Sequence, residues 1–486
     1  MVIFIEVLPA EFVRRMASPF VVAFALIWAC GVFGNAVSAG SHPNVLLILF
    51  DDMNDWIEPL HVHSQVVTPS INKLAARGML FTNAMTNAPA CNPSRTSLLS
   101  GRLPVHTGVL QNSDPAESFL DSVVSLPEYF GQHGFETYAF GKIFHKKGNT
   151  HNAFNVSFTP DFDFQESRRE STLKRLMVGK YRGQRYAGKG VKKELHDFKV
   201  AKAATKAIRK RVGLSGNPFF MAVGFHSTHL PFLAPGQDFK AVPSAANVTL
   251  PPHLPNDEDW KDIPPAALET QMLGRIFLSD NLENKTCRWQ KWVKAYLAAI
   301  HFQDSLVGKL VNELDKAELS DNTVIVFTSD HGFHLGEKRH FSKYTLWERS
   351  LHVPLIIAAP AVSSPGSVSD DVVSLIDLFP TLVDLCQLPS ATALLQLDGQ
   401  SLMPQLSSLE TSSHGCLTTT QLGHSWMTKR YHFIQYKGDC KQEELYDRKT
   451  DPNEFNNLAF QEPSPRIVEL LQQFRRKIPS SLHAEE

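Results

Sequence analysis

Val45-Leu46-Leu47-Ile48-Leu49-Phe50-Asp51-Asp52 decides the fold. The apolar run has the length of a strand and no polar alternation, so the strand is covered on both faces. Strands of that kind belong to parallel sheets flanked by helices, which makes the chain α/β. Ligands of such sheets bind at the carboxyl ends of the strands, and here the run ends in two adjacent carboxylates. Adjacent carboxylates are costly unless a cation neutralises them; a solvated turn or helix cap is the bland alternative.

Two more stretches repeat the pattern. Pro218-Phe219-Phe220-Met221-Ala222-Val223-Gly224-Phe225 ends in His226-Ser227-Thr228-His229, and Thr323-Val324-Ile325-Val326-Phe327-Thr328-Ser329 ends in Asp330-His331-Gly332. A shorter strand, residues 137–140, runs into Gly141-Lys142-Ile143-Phe144-His145. A Lys and a His three apart after a strand can face one crevice, or simply lie on the surface. His226 and His229 could ligate zinc, but further zinc ligands are missing nearby. Three carboxylates with oxygen donors favour a hard cation such as Ca²⁺ over zinc.

Between the first two runs lies Cys91-Asn92-Pro93-Ser94-Arg95, continuing to Gly101-Arg102. Pro93 suits a first helical turn, the run 94–100 has no breaker, and Gly101 is a natural stop. Cys91 then sits at the positive end of a helix, with the Arg95 fork one turn in. Helical patterns also follow Thr68-Pro69-Ser70 and Ser125-Leu126-Pro127, occupy residues 289–314, and close the chain at 467–474; residues 431–436 alternate as a strand.

The totals exclude several classes. A chain of 486 residues can bury a large core, and a net charge of −1 gives no reason to expect nucleic-acid binding or bulk attraction to membranes. Six cysteines are too few for a disulfide scaffold. Arg14 and Arg15 precede an apolar run at 19–34 and a cleavage site at Val37-Ser38-Ala39, so residues 1–39 are expected to be a signal peptide of an exported protein, whether secreted, lysosomal or periplasmic, with an uncleaved anchor as the alternative. No stable membrane association is expected after cleavage. Asn155, Asn247 and Asn284 head glycosylation sequons. Residues 168–193 carry ten Lys/Arg and one Glu, and are expected to be a long, mobile basic insertion, either a solvated loop or a rim that attracts a polyanionic glycan. Residues 234–280 are Pro-rich and are expected to be irregular.

The pentapeptide with Gly101-Arg102 resembles the formylglycine signature of the type I sulfatases, Cys-x-Pro-Ser-Arg followed by Gly-Arg; Asn92 stands where that family usually has a smaller residue. Thr68-Pro69-Ser70-Ile71-Asn72-Lys73-Leu74-Ala75-Ala76-Arg77-Gly78 is similar to the family stretch leading to the signature. Gly141-Lys142-Ile143-Phe144-His145 and Gly224-Phe225-His226-Ser227-Thr228-His229-Leu230-Pro231-Phe232 are similar to elements of iduronate sulfatase-like members, as is His331 after Asp330. Asp377-Leu378-Phe379-Pro380 and Asp398-Gly399-Gln400 match later landmarks.

The resemblance implies an alkaline phosphatase-like sulfatase fold: a large mixed, mostly parallel sheet flanked by helices in a catalytic domain at 40–406, and a small antiparallel-sheet subdomain at 416–486. It implies one Ca²⁺ held by Asp51, Asp52, Asp330, His331 and residue 91, with Cys91 converted to formylglycine by a maturation enzyme. Arg95, Lys142 and Lys343 would pin the sulfate, His229 would protonate the leaving alcohol, and His145 would hold the second hydroxyl of the aldehyde hydrate. The implied activity is hydrolysis of sulfate esters, on a sulfated sugar or glycosaminoglycan. A phosphonate or phosphate ester hydrolase on the same fold, or a catalytically silent sulfated-glycan-binding protein, are the alternatives. With Cys30 in the leader and Cys91 modified, the other cysteines could pair as Cys416 with Cys440 and Cys287 with Cys386.

Overall fold

The computed structural model describes residues 42–145, 153–160, 177–181, 184–190, 192–211, 216–269, 282–408, 414–437, 442–460 and 462–479. The expected leader, and residues 168–176, 182–183 and 191 of the expected basic insertion, lie outside these.

The central sheet has eight strands. From one edge to the other they are β13 (Ser367–Ser374), β2 (Met79–Met85), β12 (His352–Ala358), β9 (Thr323–Ser329), β1 (Asn44–Phe50), β7 (Phe219–Phe225), β3 (Glu136–Gly141) and β4 (Val156–Phe158). The three continuous apolar runs are its central trio, β9-β1-β7, paired in parallel. Only β12 runs against its neighbours, so the sheet is mixed and mostly parallel.

Successive residues of a strand face opposite sides, and β1 divides accordingly. Leu46, Ile48 and Phe50 join the core under α1 (Pro69–Ala75), α4 (His196–Arg211) and α5 (Leu282–Lys316). Val45, Leu47 and Leu49 join the opposite core under α2 (Cys91–Ser100), α3 (Leu126–Gln132) and α6 (Leu378–Leu385).

Register places the site. Phe50 lies opposite both Phe225 and Ser329, and Gly141 opposite Gly224. Asp51, His226, Asp330 and Lys142 therefore leave the sheet along one edge. Two glycines permit the close approach there: a Cβ on Gly224 would lie 1.8 Å from the Lys142 carbonyl oxygen, and one on Gly141 would lie 2.1 Å from that of Gly224.

Smaller sheets surround this one. β5 (Met177–Tyr181) pairs with β6 (Gln184–Gly190), and β6 with β8 (Phe232–Pro235), so the carboxyl half of the expected loop insertion adds two strands to the edge of β8. The span 234–280 likewise contains the end of β8 and short helical turns at Pro255–Trp260 and Pro265–Glu269; residues 270–281 are not among those described. β10 (His334–Leu335) pairs with β11 (Phe341–Ser342). At the carboxyl end, β14 (Cys416–Thr420), β15 (Gly423–Met427), β16 (Tyr431–Tyr436) and β17 (Glu443–Asp447) form an antiparallel sheet. Against it α7 (Pro465–Arg475) packs Leu471 and Phe474 on Phe433 and Leu445. Cys416 is a buried free thiol 3.8 Å from the Leu417 carbonyl, so the expected bridge to Cys440 is not formed; Cys440 and the side chain of Cys287 are outside the described residues.

Candidate active site

Cys91 is the first residue of α2, 1% exposed, and the helix stops at Gly101 with φ +67°, as the sequence predicts. Around its Sγ stand Lys343 Nζ at 3.0 Å, His331 Nε2 at 3.4 Å and Asp52 Oδ1 at 3.8 Å. Burial, then the nearby Asp51 charge, push the unmodified thiol up to about 12, so as a plain cysteine it stays protonated at neutral pH. Asn92 ties the helix start to a neighbouring turn: its side-chain amide donates to the Asp114 carbonyl at 2.9 Å, and its backbone N–H to Asn112 Oδ1 at 2.9 Å.

The carboxylates are fully buried and surrounded by cations. Asp51 accepts from Lys142 Nζ with both oxygens at 2.8 Å and lies 2.5 Å from His226 Nδ1. Burial pushes its pKa up, but Lys142, His226 and His229 overcome that and hold the carboxyl well below the usual range. Asp52 accepts from Lys343 Nζ at 2.6 Å and adopts φ +62°, a left-handed conformation uncommon among non-glycine residues. Asp330 accepts from Arg95 Nε at 2.8 Å and from the backbone N–H of Asp52 at 3.1 Å.

Arg95 differs from its expected role. Its other donors reach the carbonyls of Lys142, Ile143 and Phe50 at 2.5, 3.0 and 3.3 Å, and Asp51 Oδ1 at 3.4 Å. These bonds knit three strand ends together, so Arg95 is placed to position the carboxylates.

His331 donates from Nδ1 to the Gly332 carbonyl at 2.9 Å, which leaves the Nε2 lone pair facing Asp52 and Asp330 oxygens at 3.3 and 3.5 Å. A lone pair opposed to two carboxylate oxygens is repulsive without a cation between them. Ligand atoms of Asp51, Asp52, Cys91 and His229 lie within 4.8 Å of one another, as do those of Cys91, Asp330 and His331. Together they gather three carboxylates, two imidazoles and the side chain of residue 91, and the carboxylate oxygens suit a hard divalent cation.

His229 donates from Nδ1 to the Leu230 carbonyl at 2.7 Å, turning Nε2 toward Asp52 Oδ2 at 3.9 Å. Burial, then Lys343 and His226, hold its pKa well below the ordinary value. His145 is pushed down to about 4 by burial and by Lys142, and its Nδ1 is a buried polar atom without a hydrogen-bond partner among the described residues.

The sequence reading named His226 beside His229 but not the groups that support them. His226 is closer to the carboxylates than His229, and its ring stacks on His229 with centroids 4.6 Å apart. Asp197, at the start of α4, accepts from the backbone N–H of His226 and Ser227 at 2.9 and 2.7 Å. Thr228 and Tyr296 donate their hydroxyls to the Asp51 and Asp52 carbonyls, each at 2.7 Å. Asp197, Thr228 and Tyr296 carry no local spacing signal.

Lys343 rides on a strained segment. Lys338, Arg339, Ser342 and Tyr344 all have positive φ, between 47° and 115°. Such conformations cost on the order of 1–3 kcal/mol each and persist only where surroundings enforce them. Here Lys338 Nζ binds Asp259 at 3.1 Å and the Glu454 carbonyl, His340 Nε2 donates to the Lys343 carbonyl at 2.9 Å, and the Tyr344 N–H donates to the Pro89 carbonyl at 3.1 Å. Trp347 Nε1 donates at 2.9 Å to Glu444 of β17, which also accepts from Tyr436 and Tyr446.

The sequence matches the sulfatase family model over residues 43–388 and the C-terminal model of N-sulphoglucosamine sulphohydrolase over residues 336–480. A sulfatase of Formosa agariphila is 30% identical over 443 residues, covering 86% of this chain and 83% of that protein. Human iduronate 2-sulfatase is 28% identical over 425 residues, covering 77% and 76%. Among solved structures, BT4656 in complex with its substrate D-glucosamine-2-N,6-O-disulfate superposes with a TM-score of 0.71 at 21% identity, covering 90% of this chain and 97% of that one. Phosphonate monoester hydrolase from Silicibacter pomeroyi gives 0.74 at 19% identity, covering 90% and 94%. These structures share the alkaline phosphatase-like fold. With its family match spanning both the strand-end carboxylates and the Cys91 helix, the chain belongs to the sulfatase family.

Proposed function

We propose that this protein hydrolyses sulfate esters carried on a sugar, using formylglycine at position 91 and a bound Ca²⁺. The observation that carries the reading is the position of Cys91: first in a helix, beside Lys343 Nζ at 3.0 Å, among three buried carboxylates. Asp51, Asp52, Asp330 and His331 Nε2 would hold the cation, with residue 91 beside them. That ion would polarise a sulfate oxygen and ease deprotonation of a nearby hydroxyl. Oxidised to formylglycine, position 91 would supply a hydrated aldehyde as nucleophile.

The chain's own residues do the rest. Lys142 and Lys343 draw in the sulfate and stabilise charge growing on its oxygens. Arg95 keeps Asp51 and Asp330 in place. His229, with Nδ1 tied to a carbonyl, presents Nε2 to the leaving oxygen, and a bound sulfate beside it favours the protonated form that donates. His145 has a buried ring nitrogen, unpartnered among the described residues, to take a proton from the second hydroxyl.

A chain with the expected leader is exported, and the glycosylation candidates Asn155 and Asn247 are exposed, which suits export. The side chain of Asn284 is outside the described residues. Among the described residues, no helix is long and apolar enough to cross a membrane.

The first test is the mass of the tryptic peptide containing residue 91, from protein made in its own host. Loss of about 18 Da relative to cysteine marks the aldehyde of a covalent nucleophile. An unmodified thiol throughout, with glycan binding and no turnover, would establish the silent-binder reading instead. The phosphonate hydrolase reading draws on the shared tetrahedral-anion cradle; a faster rate on aryl phosphonates than on aryl sulfates would establish it.

A further inference from the structure

The face that α4 turns to solvent has an unusual composition. The helix buries Val200, Ala201, Ala204 and Ile208 against the sheet. From 196 to 210 its exposed residues are Lys199, Lys202, Lys206, Arg209 and Lys210, all of them cations. Spacings of three and four residues put them in one stripe. Like charges at those spacings repel and weaken a helix, and a merely solvated face mixes signs. Among the described residues only Arg209 has a carboxylate partner, Glu313 at 2.8 Å. More positive charge adjoins that pair: Glu313 is held below its usual pKa first by Arg209, then by Lys316 and Lys309 of α5. Lys309 and Lys192 approach the Phe198 ring at 5.7 and 5.9 Å.

The stripe is connected to the site. Asp197, two residues before Lys199, holds the backbone N–H groups of His226 and Ser227 beside the carboxylates. From that end the stripe runs down the flank for about 16 Å, at about 1.5 Å per helical residue. The whole chain has a net charge of −1, so this is a local field and not a bulk excess.

We infer that the exposed face of α4 is a docking surface for a sulfated polysaccharide, which lies along the cations while one of its sulfated residues occupies the site. This rests on the sulfate-ester reading above and extends it from a small ester to a polymer. The regular row of charges suits a chain with repeating sulfates, and the proximity of Asp197 to the crevice makes the two surfaces continuous.

The test compares the full-length protein with the variant K199E/K202E/K206E/K210E. Binding is measured with labelled dextran sulfate, unsulfated dextran and duplex DNA, and turnover with a small aryl sulfate. The expected result is dextran sulfate binding at least ten-fold weaker in the variant, no binding of unsulfated dextran, and aryl sulfate turnover unchanged. Equal dextran sulfate affinity in both proteins would overturn the inference. So would wild-type binding of duplex DNA as tight as that of dextran sulfate, which would mark a general polyanion surface. If the reversal variant does not fold, K199Q/K202Q/K206Q/K210Q replaces it, and wild-type affinity for dextran sulfate is followed against salt; a flat salt response would be equally fatal. Wild-type protein that binds dextran sulfate through these residues but turns over no aryl sulfate would refute the hydrolase reading while leaving the docking surface standing.

Discussion

Arg95 is wholly buried, and its guanidinium meets two carboxylates and three carbonyls. Removing one member of a buried charged set leaves the others uncompensated, so Arg95→Met is expected to destabilise the fold by about 3–5 kcal/mol, measured by urea unfolding. At Cys91, both Cys91→Ala and Cys91→Ser are expected to abolish turnover of an aryl sulfate, because neither side chain can become the aldehyde; substantial turnover by either would remove residue 91 from the chemistry. His340 offers a pH signature. It is fully buried and pushed down to about 4 by that burial, against an ordinary value of 6.5. Between those values the unfolded chain takes up a proton that the folded one refuses, so this contribution to stability is complete above about pH 6.5 and is lost toward pH 4. The stability margin of wild type over His340→Phe should therefore shrink as pH falls through that window, read from melting temperatures; a constant margin would refute a neutral buried ring. At this scale the legible residues were those with a local motif: Cys91, the strand-end acids, Lys142 and His229. Asp197, Tyr296 and Thr228 went unseen because what they do depends on partners distant in sequence, and Arg95 was found but its partners were not.

The element that matters most for Lys343 is the left-handed segment around it, tied through Trp347 to Glu444 of the carboxyl-terminal sheet. Glu444→Ala is expected to relax that tie and lower kcat on an aryl sulfate about ten-fold, the equivalent of about 1.4 kcal/mol of lost transition-state stabilisation, with the chain still folded. Unchanged kinetics would show that the segment holds itself. Among the strands, β1, β7 and β9 were plain in the sequence because each holds a continuous apolar run. β12 was obscured by Pro354, which lacks an N–H and sits where its pairing register with β2 shifts. β13 alternates exposed and half-buried residues along its first half and carries Asp370 and Asp371, so it does not read as part of a buried sheet.

For the molecule as a whole, the proposed cation would tie together the strand ends that bear Asp51, Asp52 and Asp330. Chelation is expected to lower the melting temperature as well as stop turnover. Returning Ca²⁺ to 100 times its dissociation constant should restore about 2.7 kcal/mol of stability. A melting temperature indifferent to chelator and Ca²⁺ would argue that Lys142 and Lys343 alone balance the carboxylates. The mixed, mostly parallel sheet followed from the family resemblance and the strand-end place of the site from the apolar runs that end in acids, whereas the hairpin that β5 and β6 add to β8 followed from neither, because a Gly- and Lys-rich stretch shows no strand periodicity until an edge is there to receive it.

The tie between Lys343 and Glu444 also has a meaning in time. A ribosome that has delivered everything through β13 has already made the nucleophile, all four expected ligands and both strand-end histidines, yet the segment bearing Lys343 still lacks its anchor. With Lys343 in the role proposed for it, the grip on the anion would be completed only when β17 emerges. The order of synthesis therefore makes this a protein whose chemistry is armed last, by the part of the chain that contains none of it.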